Sequence, residues 1–275
     1  MPNILCSLLV NDDQFTHPQI LYFLSCVLIK HKAFFARNDA VNWSGKLGGM
    51  GIMGLWIGCS LLVLVIAYLF GSIPTGYLAG RLLKGIDIRE HGSKSTGATN
   101  VLRTLGKVPA IGVLLIDVLK GVAAISFSRW FLTQPNIEQL VPASVNATSW
   151  LNWMITLAAM AALLGHSRSI WIQFTGGKSV ATGLGILLAM SWQIGLGALF
   201  GFGITLAIFR IVSLGSIVAA LTGMVLMIIL GYPLPYQLLV IVGGLFVIWR
   251  HQANIQRLFA GTEPRIGQKS QRLQG

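Results

Sequence analysis

Hydroxyls, glycines and cationic side chains gather at three places in this chain, and together they are the parts of a phosphate site. The first run is Asp87-Ile-Arg-Glu-His-Gly-Ser-Lys-Ser-Thr-Gly-Ala-Thr-Asn100-Val-Leu-Arg103. Gly92 and Gly97 let backbone N–H groups come close to a ligand. Ser93, Ser95, Thr96 and Thr99 supply hydroxyls, Asn100 an amide, and Arg103 a planar fork matched to phosphate. A solvated basic loop that only fixes topology is the plainer reading, but such a loop needs no dense Gly/Ser/Thr/Asn run. The second run pairs Gly165-His166 with Phe174-Thr-Gly176-Gly177-Lys178-Ser179-Val-Ala-Thr182-Gly and leads straight into an apolar helix. Free N–H groups and the helix dipole make that N-terminus an anion site, and Lys178 adds a full charge. It is not a Walker A loop, which needs glycine where Ile172 stands, so nucleotide hydrolysis is not expected. A Gly-rich turn at a membrane surface is the alternative.

The third run is Arg250-His251-Gln-Ala-Asn254-Ile-Gln-Arg257. On a helix, His251, Asn254 and Arg257 share one face through their i, i+3 spacing. An imidazole titrates near neutrality, which makes His251 a general-base candidate. His91, His166 and His251 each lack a second ligand at metal spacing, so no metal site is read. Asp117 and Lys120 stand one turn apart inside an apolar segment. They are either an intrahelical ion pair that makes burial tolerable or part of the lining of the site.

These clusters must be positioned by membrane-spanning elements. Charged residues are 10% of the 275 and apolar residues 54%, too few charges to cover a soluble core of this size. Uncharged or nearly uncharged runs cover residues 52–70, 108–129, 150–164, 179–209 and 211–249. The last two are 31 and 39 residues long, against about 20 for one crossing. The first is expected to divide near residues 191–193, and the second at Gly231-Tyr-Pro-Leu-Pro235, where proline cannot continue a helix interior. The expectation is an all-α integral membrane protein of about seven transmembrane helices, some short, with three cytoplasmic motif-bearing loops. Placing 81–107 in the cytoplasm puts 14 of the 20 basic residues on that side, as the positive-inside rule requires. The net charge of +12 therefore reads as positive loops and an anionic small substrate, not nucleic acid. Cys6, Cys26 and Cys59 show no CxxC spacing and read as small apolar residues. Residues 1–52 read as an N-terminal extension, either loosely ordered or preceding a true start at Met50 or Met53. Residues 53–267 form the transmembrane domain and 268–275 a basic tail.

Gly71-Ser-Ile-Pro-Thr-Gly-Tyr77, Gly97-Ala-Thr-Asn-Val101 with Arg103, Gly176-Gly-Lys178, and His251 with Asn254-Ile255 resemble the motifs of the bacterial acyl-phosphate:glycerol-3-phosphate acyltransferases, the PlsY family. The similarity runs over about residues 61–267. It implies an enzyme of the bacterial-type plasma (inner) membrane, active on the cytoplasmic side. Such an enzyme moves an acyl group from a long-chain acyl phosphate to the 1-hydroxyl of glycerol 3-phosphate, giving lysophosphatidic acid. It implies catalytic roles for His251 and Asn254, and substrate or phosphate binding by Ser93, Asn100, Arg103, Gly176, Gly177, Lys178 and Ser216. The implied partners are the two substrates, membrane lipids and an upstream enzyme that makes acyl phosphate. An acyl phosphate is already activated, so no cofactor is implied. The chain has Ser93-Lys94-Ser95 where the family has Ser-Gly-Asn, Ser169 where it has proline, and Ser179 where it has glycine. The His-x-x-x-x-Asp arrangement of the other large class of glycerol-phosphate acyltransferases is absent: Thr96, Trp171 and Gln256 stand at the fifth positions.

Two other readings use the same residues. A transporter of a phosphate-bearing solute would also place glycine-rich anion sites at helix ends, although near mid-membrane and with internal repeats. A non-catalytic module could bind anionic lipids through residues 250–272, which leaves the first two clusters without a role. The basic-residue asymmetry carries a topological prediction. In a background without native cysteines, Lys94→Cys and Ser144→Cys label from opposite sides of the membrane; labelling of both from one side contradicts the orientation.

Overall fold

A bilayer offers no water to unpaired N–H and C=O groups, so long apolar segments must close their hydrogen bonds internally as helices. The computed structural model, which describes residues 48–268, follows that rule throughout. The expected N-terminal extension and basic tail fall mostly outside the described residues. The helices are α1 (Gly49–Ser72), α2 (Thr75–Lys84), α3 (Ala98–Thr104), α4 (Lys107–Leu132), α5 (Ala147–Ser167), α6 (Val180–Met190), α7 (Trp192–Phe209), α8 (Val212–Ile229), α9 (Leu234–Arg250) and α10 (Gln252–Phe259). Among the described residues the one β feature is an isolated bridge between Ser169 and Thr175.

All seven expected apolar segments are helical, but their lengths differ. Five stretches are long and apolar enough to cross a membrane: Gly49–Lys84, Lys107–Leu132, Ala147–Ser167, Trp192–Phe209 and Val212–Ile229. Helices α9 and α10, bent by 59° at His251, make a sixth if they are one broken span. Helix α6 has 11 residues, about 16 Å at 1.5 Å per residue, which is roughly half the hydrocarbon thickness. The seven helices thus give five or six candidate crossings and one short helix. The breaks fall where the sequence puts them. Ser191 alone separates α6 from α7; its Oγ meets the Tyr232 hydroxyl at 2.6 Å, and it caps α7 by accepting from the Ile194 N–H. Gly231, at φ 65°, and Pro233 end α8 and start α9.

Small residues bring the helices close. A Cβ on Gly185 of α6 would lie 2.0 Å from the Val118 carbonyl oxygen, and one on Gly121 of α4 2.3 Å from that of Thr182. The α4–α6 seam is therefore a backbone-to-backbone contact, the packing that small residues allow in membranes. Around it the core is built of Val63, Ala67, Ala124, Ile125, Ile155, Ala158, Ala159, Ala162, Ile194 and Met227. Most of α1 instead presents its side chains outward.

One polar knot sits inside this packing. Pro74 interrupts the path from α1 to α2, where the Ile73 carbonyl accepts from the Thr75 N–H at 3.0 Å. Lys120 Nζ donates to that oxygen at 2.8 Å and to Asp117 Oδ1 at 2.8 Å, while Thr75 Oγ1 donates to Asp117 Oδ1 at 2.6 Å. The Asp117–Lys120 pair is thus an ion pair that also binds α4 to the α1–α2 break. Removing one member leaves the other charge buried without its partner, at a cost of about 3–5 kcal/mol. Lys120→Met is expected to lower the thermal midpoint in detergent sharply, and the double variant Asp117→Asn, Lys120→Met to recover part of the loss. Equal midpoints for Lys120→Met and the parent chain would contradict this role.

Candidate active site

Asn100 folds the first polar cluster. Its amide nitrogen donates to the carbonyls of Ile88 (3.0 Å), His91 (3.0 Å) and Ser95 (2.8 Å), and its Oδ1 accepts from the Ser93 N–H at 2.7 Å. Gly92 lies at φ 57°, and a Cβ there would stand 2.3 Å from Asn100 Oδ1, so the turn requires glycine both for its conformation and for this approach. Asn100 is buried and its hydrogen bonds are spent on the loop. It braces the loop that carries Ser93, and the side chains of Ser93 and Arg103 are exposed. Arg89 ties this loop to the second cluster. It holds Asp87 through Nε and Nη2, which keeps that carboxyl down to about 2. Its Nη1 donates to the Ile172 carbonyl and Thr175 Oγ1, both at 3.0 Å.

The second cluster is a turn wrapped on His166. The Gly177 N–H donates to the His166 carbonyl at 3.2 Å. A Cβ on Gly177 would lie 2.2 Å from His166 Nε2, and one on Gly176 2.1 Å from His166 O. Arg250 Nη2 clamps the turn from the third cluster, donating to the carbonyls of Gly176 (3.3 Å) and Gly177 (3.1 Å). Ser179 then opens α6 at φ 62°, with its hydroxyl bonded to Ser167 Oγ at 2.6 Å and Leu163 O at 2.9 Å. Lys178, between the turn and the helix, donates to Asn254 Oδ1.

The third cluster supplies a fixed acceptor and a fixed amide. His251 is the single residue at the α9–α10 bend, and its Nδ1 lies 2.7 Å from the Val247 carbonyl. A carbonyl can only accept, so Nδ1 bears the hydrogen of the neutral ring and Nε2 presents its lone pair. Asn254 donates from Nδ2 to Glu263 Oε1 at 2.6 Å, which turns its Oδ1 toward Lys178. Ser213 Oγ donates to the same Glu263 oxygen at 2.7 Å, and Arg257 Nε to Oε2 at 2.7 Å. Burial pushes the Glu263 carboxyl up, but the hydrogen bonds from Asn254, Ser213 and Arg257 outweigh it and the net displacement is downward. Glu263 and Ser213 carry no pattern in the sequence beyond one acid in a basic segment.

The three clusters open on one cavity of about 490 Å³. Ser93, Arg103, Lys178, Ser216, His251 and Asn254 line its polar end, with Asn100, Asp117, His166, Ser213 and Glu263. Leucines and small residues of α4, α6, α7, α8 and α9 form the rest, including Leu115, Leu187, Leu199, Ala220 and Gly243. Gly176, Gly177 and Lys120 stand behind this lining; the two glycines shape the turn that holds Lys178. Ser216 donates its hydroxyl to the Val212 carbonyl at 2.9 Å, leaving the oxygen lone pairs toward the cavity. Among the described residues no group of three His, Cys, Asp or Glu side chains is placed to hold a metal.

A glycerol-3-phosphate acyltransferase family model matches residues 61–261. The chain belongs to the glycerol-3-phosphate acyltransferase family. It is 55% identical over 217 residues to a glycerol-3-phosphate acyltransferase of Acaryochloris marina, covering 79% of this chain and 96% of that one. It is 60% identical to glycerol-3-phosphate acyltransferase 2 of Rhizobium johnstonii, covering 78% and 99%. Among solved structures it is similar to PlsY, an integral membrane glycerol 3-phosphate acyltransferase. The identity to the glycerol 3-phosphate form is 35%, with a TM-score of 0.65 over 76% of this chain and 96% of that one. The lysophosphatidic acid form of the same enzyme gives a TM-score of 0.62. This acyltransferase is thus an all-helical, multi-pass membrane protein, as its composition requires.

Burial pushes the Lys178 ammonium down to about 8; Glu263 opposes the shift, and Arg257, Arg250 and Arg103 add to it. Only the protonated form attracts a dianion. A phosphate monoester is itself a dianion only above about pH 6, so affinity is expected to be level between about pH 7 and 8 and to fall above that, by up to roughly tenfold per pH unit. Lys178→Arg keeps its charge throughout this range and should remove the break. Equilibrium binding across that range tests the assignment, and a wild-type curve with no break near pH 8 contradicts it.

Proposed function

We propose that this acyltransferase takes glycerol 3-phosphate as acceptor and a long-chain acyl phosphate as donor, releasing lysophosphatidic acid and inorganic phosphate. The observation that carries the reading is the cavity itself. It joins cations, hydroxyls and a histidine lone pair at one end to a wall of apolar helices, so a phosphate head and a fatty chain are accommodated together. Arg103 and Ser93 hold one phosphate as fork and hydroxyl. Lys178, at the N-terminus of α6, adds its charge to the free N–H groups of that helix.

The chemistry asks for alignment more than activation. The acceptor hydroxyl oxygen attacks the donor carbonyl, an ester C–O bond forms, and the bond from the acyl carbon to the phosphate oxygen breaks. Phosphate leaves with that electron pair and ends with the proton that the hydroxyl loses. His251 Nε2 accepts a hydrogen bond from the attacking hydroxyl and orients it. Asn254, locked by Glu263, keeps Lys178 beside the charge that develops on the leaving phosphate. Asn100, Gly176 and Gly177 shape the loops. The bond needs no further activation, so alignment and charge supply the rate.

The basic-residue asymmetry supports a plasma membrane location with the cavity's polar end on the cytoplasmic side, where an upstream enzyme delivers acyl phosphate. Residues 53–267 make up the acyltransferase domain. A transporter reading is not favoured: the polar groups gather where helices end, and the family is one of acyltransferases.

Purified protein given acyl phosphate and glycerol 3-phosphate is expected to release phosphate and to be inactive with acyl-CoA. A hydrogen bond to a charged group contributes roughly 1.5–3 kcal/mol, about one to two powers of ten in rate. Arg103→Lys, which keeps the charge and loses the fork, should therefore lower kcat/KM by at least about tenfold, as should Lys178→Ala. Wild-type kinetics in both variants at normal expression would overturn the phosphate-cradle assignment.

A further inference from the structure

The apolar part of the cavity has a definite depth, and its walls show where that depth is set. On α8 the lining descends from Ser216 at the polar end to Gly223. Those seven residues correspond to about 10 Å at 1.5 Å rise. On α9 it continues to Leu239, about three turns from His251. Gly223 is buried within α8. A Cβ added there would meet Leu187 of α6, at 3.3 Å from its Cδ1, and nothing else is as near. Leu187 itself lines the cavity. Leu187 thus already packs on the bare backbone of Gly223, and this contact forms one wall of the lumen, held by a single flexible side chain.

We infer that Gly223 and Leu187 form the gauge that sets how long an acyl chain this enzyme accepts. The inference rests on the acyl-donor reading given above. An extended chain advances roughly 1.2 Å per bond, the value implied by three backbone bonds per residue. A carbonyl held level with Ser216 and His251 then places the gauge about eight bonds along the chain. An octanoyl chain ends at that level, and a palmitoyl chain must pass it toward Leu239. Bulk added at position 223 pushes Leu187 into the lumen and narrows it, and bulk removed at 187 widens it. The two changes thus act in opposite directions on one ratio.

The test compares kcat/KM for octanoyl, palmitoyl and stearoyl phosphate with glycerol 3-phosphate as acceptor, together with thermal midpoints in detergent. Gly223→Val is expected to lower the palmitoyl-to-octanoyl ratio at least tenfold, and Leu187→Ala to raise the stearoyl-to-octanoyl ratio at least threefold. A general loss of packing would lower both donors alike and leave the ratios in place. If Gly223→Val does not fold, Leu187→Ala decides by itself. Ratios within twofold of wild type in the folded variants overturn the gauge while leaving the acyl-donor reading intact. A wild-type enzyme inactive with acyl phosphates of every length overturns that reading and the gauge with it.

Discussion

Wherever a helix stops inside or beside a membrane, its last carbonyls and first amides must find partners without help from water. In this acyltransferase three cations serve carbonyls at the breaks between helices. Lys120 binds the carbonyl of Ile73, Arg89 that of Ile172, and Arg250 those of Gly176 and Gly177. Each of these bonds joins segments far apart in sequence, so the contacts that satisfy the chain breaks also assemble the site. The strongly basic composition then has two origins. Some cations are structural clamps, and Arg103 and Lys178 remain to face the cavity.

The acids follow the same logic. Asp117, Asp87 and Glu263 each gather two or more donors from different elements. Glu263 is the most consequential, because it fixes the Asn254 amide in one orientation by giving its nitrogen an anion and leaving its oxygen for Lys178. A carboxylate outside the recognised motifs therefore decides how a cavity-lining ammonium is aimed. An amide held between two full charges has little rotational freedom.

Much of this was legible in the sequence, for reasons that can be named. Hydrophobic runs too long for one crossing had to break, and Ser191, Gly231 and Pro233 supplied residues suited to breaking them. The polar clusters stood out because membrane proteins carry few charges without a use. What stayed hidden was anything set by three-dimensional approach. The i, i+3 pattern placed His251 and Asn254 on one helix face, but the 59° bend makes His251 a hinge residue whose ring turns back to Val247. Asn100 stood out as one member of a polar run, and only its four contacts show that it also braces the loop. The division of the Asp117–Lys120 pair could not be read either: one partner reaches the cavity lining and the other does not.

The two loop positions where this chain departs from its family's glycines are explained by backbone geometry. Lys94 lies at φ 56° and Ser179 at φ 62°, the left-handed region that costs an L-residue about 1–2 kcal/mol and glycine almost nothing. Glycine would adopt either conformation without that strain. At Ser179 the hydroxyl bonds to Ser167 and Leu163, and two such bonds contribute about 1–3 kcal/mol net, enough to offset the strain. Lys94 is exposed, and no such bond balances it among the contacts of the described residues. The two departures are thus physically different. One replaces conformational freedom by hydrogen bonds at the mouth of the Lys178 cradle and holds that turn rigid. The other leaves modest strain in the loop that carries Ser93.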